Sequence, residues 1–259
     1  MAIATFKRYE KKFRINSAQL AELQPYFLEF MNYDSYCVNG EKYTIYNIYY
    51  DMQNSEIIRD NANASTYKEK IRLRSYNIVS KPEDTVFLEL KKKENGIGNK
   101  RRIKIRLDQI DDMLYKGIAP KYDDYLSNQV SKEILYYLSL HPVKPTVYLQ
   151  YDRLAFFGKD DGEFRITVDD NIRTRRENFS FGSSDDDKIQ LPDDTYIMEI
   201  KMLGSLPLEL AHKLSKMEIF SAGYSKYGNE YKMRLLEDKL PYFITDEEGK
   251  ETQIYNFKG

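Results

Sequence analysis

Basic side chains recur at every second position in several segments of the chain. Residues 67–76 read "YKEKIRLRSY", in which the cations are Lys68, Lys70, Arg72 and Arg74. A β-strand places alternate residues on opposite faces, so one face of this strand would carry the cations and the other would be largely apolar. Arginine grips phosphate oxygens with a two-pronged hydrogen bond and lysine adds point charge. The pattern therefore favours binding of phosphate groups.

Carboxylates join the cations in other segments. The spacing Glu-x-Lys occurs three times, at Glu10/Lys12, Glu89/Lys91 and Glu199/Lys201. Three further runs place polar residues on one strand face: Arg102, Lys104 and Arg106; Tyr151 and Arg153; and Arg165, Thr167 and Asp169. Carboxylate oxygens are the ligands that Mg²⁺ and Mn²⁺ prefer. The residue types are those of a metal-assisted phosphate site.

A simpler interpretation exists for each strand alone, because antiparallel sheets often have one solvated, charged face. Neighbouring strands that all carry cations would repel one another unless an anion lay among them. The set of strands therefore favours an anion site. For single residues the simpler roles stay open: a structural ion pair for Glu199, a solvated loop position for Lys226 and core packing for Tyr151.

The overall charge limits the kind of anion site. The 259 residues include 40 Lys and Arg against 41 Asp and Glu, so the net charge is −1 and any basic region must be local. No aromatic RNA-recognition motif accompanies the basic strands, so nucleic acid is not an expected partner. Cys37 is the only cysteine and no long apolar run is present, which predicts a cytoplasmic protein without a transmembrane segment.

The segments with alternating residues are mostly joined as hairpins, with helical segments between them. Hairpins imply antiparallel pairing and an α+β domain. About eight strands predict a closed eight-stranded antiparallel β-barrel, a tunnel with a charged lumen and helices packed outside. The prediction is one domain over residues 1–240 and a C-terminal tail of unknown role over residues 241–259.

An ordered set of short motifs resembles a known family. The motifs are "RYEKKF", "IYYD", "KIRLRSY", "FLELK", "YDRLAFF", "FRITVDDNI", "YIMEIK" and "SKYGNEY", and they extend from residue 8 to about residue 235. Together they resemble the triphosphate tunnel metalloenzymes (the CYTH-like superfamily). Within that superfamily the resemblance is to the catalytic domain of the vacuolar transporter chaperone, the polyphosphate polymerase branch.

The resemblance implies roles for individual residues. It assigns the phosphate-binding and catalytic wall to Lys12, Arg72, Arg74, Lys91, Arg153, Arg165 and Lys226. It implies a divalent metal, Mn²⁺ or Mg²⁺, on Glu199, with Glu10 and Glu89 as helpers. Further substrate contacts fall to Lys70, Tyr151, Lys201, Ser225, Arg102 and Lys104.

The first strand departs from the hydrolases of this superfamily, because Arg8 stands where their signature has its first Glu. The resemblance thus implies a polyphosphate polymerase that transfers the γ-phosphoryl group of ATP to a growing polyphosphate chain. Two alternatives remain: a triphosphatase of the same fold that acts on tripolyphosphate or a nucleotide, and a polyphosphate- or nucleotide-binding module without turnover.

Overall fold

The computed structural model describes residues 9–63, 66–95, 97–237, 242–245 and 251–254. Arg8 and the start of the predicted first strand lie outside these residues. The strands are β1 (Tyr9–Ile15), β2 (Met31–Tyr33), β3 (Tyr43–Asp51), β4 (Tyr67–Ser75), β5 (Thr85–Glu94), β6 (Ile97–Arg106), β7 (Lys144–Gly158), β8 (Arg165–Arg175), β9 (Lys188–Ile189), β10 (Tyr196–Met202), β11 (Tyr242–Thr245) and β12 (Glu251–Ile254). The helices are α1 (Ser17–Phe30), α2 (Glu56–Asn63), α3 (Ile110–Tyr115), α4 (Tyr125–Leu140), α5 (Leu208–Lys216) and α6 (Lys226–Leu236).

One large antiparallel sheet organises these elements. Its strands follow the order β1-β10-β8-β7-β3-β4-β5-β6, while β2 pairs with β7 and β9 pairs with β8. Among the described residues, β11 and β12 pair only with each other, in a separate two-stranded antiparallel sheet. The predicted α+β class with antiparallel hairpins is confirmed. The predicted boundary at residue 240 stays a prediction.

Most apolar residues of the strands lie on the outer face of the sheet and pack under helices, as the alternation predicts. The exceptions include Ile45, Leu149 and Ile197, which lie on the inner face and form a third core cluster with Tyr227 of α6. Over β4, β5 and β6 the core includes Ile71, Leu88 and Ile103 with Ile134 of α4. Over β1, β8 and β10 the sheet packs instead against α1 and α5. Burial of this apolar surface is the main driving force for the fold. It also fixes which face of every strand carries the charged residues.

The sheet is strongly curled, with the charged face on the inside. β1 and β5 are six strand spacings apart in the sheet order, a distance of about 29 Å in a flat sheet with strands about 4.8 Å apart. Yet Lys91 Nζ on β5 lies 3.8 Å from Glu10 Oε2 on β1. Only a rolled sheet brings these side chains together. We call the space bounded by the inner faces of β1, β3 to β8 and β10 the channel.

The predicted closure of the barrel is not found among the described residues, where no backbone pairing joins β1 to β6. The free edge of β1 is taken by the segment that precedes α6. Phe13 forms a bridge with Ser221, and the Ala222 N–H donates to the Lys12 carbonyl (2.8 Å). Because these backbone groups already have partners, they do not need a neighbouring strand there. The sheet is rolled but open.

Among the described residues, no helix has both the length and the apolar character needed to cross a lipid bilayer.

Candidate active site

Strand register places the charged residues in rows along the inner face. On β4 and β5 the successive opposed pairs are Lys68 and Lys93, Lys70 and Lys91, Arg72 and Glu89, and Arg74 and Phe87. On β5 and β6, Glu89 opposes Arg102 and Lys91 opposes Lys100. On the other wall Lys12 opposes Glu199, which in turn opposes Thr167. The two-residue period of the strands thus builds the site.

Glu89 lies at the centre of an arginine cluster. Its side chain is 1% exposed and accepts hydrogen bonds from Arg72 Nε (2.8 Å) and Arg102 Nε (2.5 Å). Arg74 and Lys100 each approach the carboxylate to 3.9 Å. A single negative charge therefore faces four positive charges. Because burial strengthens electrostatic interactions, this excess makes the cluster a site for an anion.

The cluster also shifts the pKa values of its members. Burial alone would raise the pKa of Glu89, but Arg72 and the other cations hold it well below the usual range. Burial would likewise raise the pKa of Tyr49, yet Arg72, which it contacts, helps to lower this pKa to about 8. Burial lowers the pKa of Lys100 to about 8, against the opposing effect of Glu89. These shifts are those of a strongly positive environment.

A second cluster lies on β1 and β10. Lys12 Nζ is 3.2 Å from Glu10 Oε1 and 3.5 Å from Glu199 Oε2, and Lys201 Nζ is 2.6 Å from Glu199 Oε1. Burial would raise the pKa of Glu199, but Lys201 and Lys12 hold it well below its usual value. Burial and Glu199 act to raise the pKa of Glu10, and Lys91 and Lys12 outweigh them and lower it. Both carboxylates are therefore ionised at neutral pH.

The second cluster fits a divalent cation that takes some of its ligands from the protein and the others from the substrate. Glu10 and Glu199 lie within 3.5 Å of the same ammonium group. The Thr167 hydroxyl, opposite Glu199, is buried without a hydrogen-bond partner among the described residues. No group of three or more His, Cys, Asp or Glu side chains suited to a metal occurs in the described part of the chain. Mg²⁺ commonly uses one or two carboxylates together with substrate phosphates, which this arrangement allows.

Glu89 does not join that carboxylate pair. Its oxygens are engaged by arginines, so it serves as their counter-ion. The predicted grouping of Glu199, Glu10 and Glu89 is thus divided between two clusters. The position of Glu89 opposite Arg72 and Arg102 in the register explains the difference.

A third cluster brings together Arg153, Asp169 and Lys226. Asp169 is fully buried and accepts from Arg153 Nε (2.6 Å) and Lys226 Nζ (2.5 Å). Burial would raise the pKa of Asp169, but these cations lower it to about 2. Tyr151 connects this cluster with the arginine cluster, because Lys226 lies over its ring at 4.3 Å and Arg74 donates to its hydroxyl (3.1 Å).

Helix α6 delivers Lys226 into the channel. Ser225 caps the helix by accepting from the Gly228 N–H (3.0 Å), and Lys70 donates to the Ser225 hydroxyl (2.7 Å). Tyr227 stacks on Tyr49 at 4.8 Å and donates a hydrogen bond to Asp51 (2.7 Å). One turn of helix is thereby fixed against the inner face of the sheet.

Beside the start of α6 is a lysine-rich cavity of about 490 Å³. Its basic residues are Lys12, Lys68, Lys70, Lys91, Lys93 and Lys232. Glu10 and Glu69 are its only acidic lining residues among those described. Burial lowers the pKa of Lys70 to about 8, and the neighbouring Lys12 and Lys91 act in the same direction. We call this lysine-rich end of the channel the basic mouth.

Two predicted site residues stand apart from these clusters: Arg165, assigned to the phosphate-binding and catalytic wall, and Lys104, assigned to the further substrate contacts. Arg165 is exposed and donates to the Gly162 carbonyl (3.1 Å) in its own hairpin turn. Lys104 is also exposed, although it shares a strand face with Arg102. The two-residue alternation along each strand predicted the inner face correctly for both residues. Both lie near strand ends, however, where side chains reach solvent.

The structure adds three residues that the sequence pattern did not assign to the site: Lys100, Asp169 and Tyr49. Lys100 opposes Lys91, a relation that follows only from the hairpin register. Asp169 shares its strand face with Arg165 and Thr167, but its ion pair with Lys226 depends on α6, which is distant in sequence. Tyr49 is one of 23 tyrosines, so its residue type alone carried no signal.

Comparison with known proteins agrees with this geometry. The VTC domain model matches residues 7–235, and no curated protein matches the chain. One similar solved structure, a Bacillus halodurans protein provisionally named an adenylate cyclase, has 11% identity and a TM-score of 0.48, and the match covers 85% of this chain and 95% of that one. A Pyrococcus horikoshii protein has 16% identity and a TM-score of 0.34, with coverage of 88% and 99%.

The two structural likenesses are too distant to carry an argument. The family model, in contrast, spans most of the chain and includes all three charged clusters. The chain belongs to the VTC domain family.

Proposed function

We propose that the protein is a metal-dependent polyphosphate polymerase, which transfers the γ-phosphoryl group of ATP to a growing polyphosphate chain. The observation that carries the proposal is the excess of positive charge around Glu89. One carboxylate neutralises only part of the charge of Arg72, Arg74, Arg102 and Lys100. A triphosphate would supply the missing negative charge.

The arginines would bind and orient the triphosphate. Phosphoryl transfer depends on positioning and charge stabilisation more than on covalent chemistry by the protein. Arg72 and Arg102 are already held by Glu89, so little side-chain entropy would be lost when phosphate oxygens bind. Lys226 and Arg153, fixed by Asp169, would contact the same substrate from the opposite wall.

Glu199 and Glu10 would hold the divalent metal, whose contribution is to neutralise charge on phosphate oxygens. In the transfer, a terminal phosphate oxygen of the acceptor chain forms a bond to the γ-phosphorus. The bond from that phosphorus to the β–γ bridging oxygen breaks, and ADP leaves. The residues of the channel align these groups and no side-chain nucleophile is needed.

The basic mouth favours a polymerase over a triphosphatase. Lys68, Lys70 and Lys93 continue the row of positive charge beyond the arginine cluster. A substrate of three phosphates does not need this extension, whereas a polyphosphate chain has negative charge along its whole length. Arg8 in place of a first-strand carboxylate agrees with this interpretation.

The test is incubation of the pure protein with γ-labelled ATP and Mn²⁺, followed by gel separation of the products. We expect a ladder of polyphosphate chains that Arg72→Ala and Glu199→Gln abolish. Arg101→Ala is the matched control, because Arg101 pairs with Glu133 of α4 and therefore lies on the outer face. Its activity should equal that of the wild type.

Other results would reassign the reaction. Labelled free phosphate without a ladder would make the protein a triphosphatase. Bound but unchanged ATP would make it a binding module. Circular dichroism spectra of both inactive variants would establish that they are folded.

A further inference from the structure

The end of the channel opposite the basic mouth carries aromatic residues. On the β4–β5 pair, lysines occupy one end of the row, Arg72 and Glu89 its middle, and Arg74 and Phe87 the other end. Just beyond β4 lies Tyr76, and Tyr43 begins β3. We call the group of Tyr36, Tyr43, Tyr76 and Phe87 the aromatic mouth. The channel therefore has two chemically different ends.

The rings of the aromatic mouth support one another. Tyr36 stacks on Tyr76, with centroids 5.5 Å apart and planes inclined by 19°, and lies 5.4 Å from Tyr43. The edge of Phe87 meets Tyr76 at 5.9 Å. Despite these contacts Tyr36 is 58% exposed. Tyr36 is thus a flat ring that stacks on Tyr76 and is still largely accessible to solvent, as a stacking platform requires.

The platform is joined directly to the phosphate-binding arginines. Arg102 Nη2 donates to the Tyr76 hydroxyl (3.0 Å), and the Arg102 guanidinium lies 4.4 Å from the Phe87 ring centroid. Tyr76 is four positions after Arg72 in the sequence, a distance of about 13 Å along an extended chain. An extended nucleoside triphosphate covers such a span with its base at one end and its phosphates at the other.

We propose that the aromatic mouth, through Tyr36, binds the nucleobase of a nucleoside triphosphate. The inference rests on the proposed function and adds the orientation of the substrate. The base stacks at the aromatic mouth, the phosphates lie on Arg72, Arg74 and Arg102, and the γ-phosphate points toward Lys70 and Lys91. The acceptor polyphosphate then occupies the basic mouth, where its charge is neutralised by lysines.

The reverse orientation fits less well. A base at the basic mouth would occupy the lysine-rich cavity in place of the acceptor polyphosphate chain. A polyphosphate chain at the aromatic mouth would meet the uncharged rings of Tyr36, Tyr43 and Phe87. Stacking tolerates any base, so the platform predicts binding of nucleoside triphosphates without strict selection among the bases.

The test compares two ligands that share the phosphates but differ in the base. Dissociation constants are measured by calorimetry for tripolyphosphate and for the non-hydrolysable β,γ-imido analogue of ATP. Tyr36→Ala should weaken binding of the nucleotide roughly ten-fold, the range expected for one stacked base, and leave tripolyphosphate unchanged. Tyr136→Ala is the control, because Tyr136 is similarly exposed but lies on α4, outside the channel.

A second variant reports on stacking by a different signal. The chain contains no tryptophan, so Tyr36→Trp introduces a single indole at the platform. Its fluorescence should be quenched by the nucleotide analogue and not by tripolyphosphate.

The outcomes separate the two proposals. The base site would be overturned if each ligand bound the wild type, Tyr36→Ala and Tyr136→Ala with the same dissociation constant and the nucleotide analogue did not quench Tyr36→Trp. The proposed phosphate site would be unaffected by that result. Failure of the wild type to bind either ligand would overturn both proposals.

Discussion

Buried carboxylates and cations in the channel form a partly neutralised site. Glu89 and Asp169 each hold at least two cations, so the basic residues can lie close together in the absence of substrate. A buried charge without a partner would be costly, whereas a shared counter-ion lowers that cost. The remaining positive charge is available to an anion. Under the proposed function, bound phosphate would neutralise the positive charge that these carboxylates leave unpaired.

The lysines of the channel give this balance a pH dependence. Burial lowers the pKa values of Lys70 and Lys100 to about 8, so both are largely protonated at pH 7 and lose their charge as the pH rises through 8. Affinity for tripolyphosphate should therefore fall between pH 7 and pH 9. In the double variant Lys70→Arg/Lys100→Arg both positions stay charged, and the fall should be several-fold smaller.

Calorimetric titrations at several pH values test this expectation. Protonation of the ligand itself affects both proteins equally. The difference between their pH profiles of affinity therefore isolates the contribution of the two lysines. Identical pH profiles for the wild type and the double variant would show that these lysines do not control anion binding.

Residues distant in sequence hold α6 in place. Asp51 is fully buried at the end of β3 and accepts from the N–H groups of Met52, Ile57 and Ile58 and from the Tyr227 hydroxyl. It thus caps the start of α2 and tethers α6. Arg176 forms a second tether through two hydrogen bonds to Glu230, both 2.8 Å. These contacts determine where Lys226 enters the channel.

We expect Asp51→Asn to loosen α6. In either orientation of the amide, its nitrogen would face a backbone N–H that donates to the Asp51 carboxylate in the wild type. The loss of a buried hydrogen bond of this kind costs about 2 kcal/mol of the free energy of unfolding. Tyr227→Phe removes only the hydroxyl tether and keeps the ring on Tyr49, so its cost should be about 1 kcal/mol. Urea denaturation and amide hydrogen exchange measure both effects. Unchanged protection of the α6 amides in Asp51→Asn would contradict the assignment of Asp51 as a tether.

The sequence predicts an element well when its pattern lies within one short segment, such as the alternation along a strand. For β4 the two-residue period predicted correctly that Arg72 and Arg74 share a face, because the outer face must bury Ile71 and Leu73. The positions of Arg165 and Lys104 on the inner face followed in the same way, but their exposure at strand ends did not. Tyr36 and the segment at Ser221 have no periodic pattern, so neither the aromatic mouth nor the covered edge of β1 was predicted.

At the scale of the whole molecule, charge is separated by the sheet. The net charge is only −1, yet the inner faces of β4, β5 and β6 carry a dense group of Arg and Lys. The curl of the sheet could be expected from its inner and outer faces. Closure could not, because it depends on whether two edges distant in sequence meet or are covered by another segment. Here the segment before α6 covers the edge of β1.

This separation predicts which polyanions the protein accepts. The sheet is curled so strongly that Lys91 on β5 reaches Glu10 on β1, and the basic residues lie on its inner face. We therefore expect a flexible phosphate chain, but not a DNA duplex, to reach the inner cations. The outer surface must then carry the balancing acidic charge, which repels a large polyanion. At about 0.15 M salt, long polyphosphate should compete with tripolyphosphate for the channel, while excess duplex DNA should leave the dissociation constant of tripolyphosphate unchanged. A competition titration followed by calorimetry tests this with the wild-type protein. Displacement of tripolyphosphate by DNA would contradict the inward placement of the basic charge.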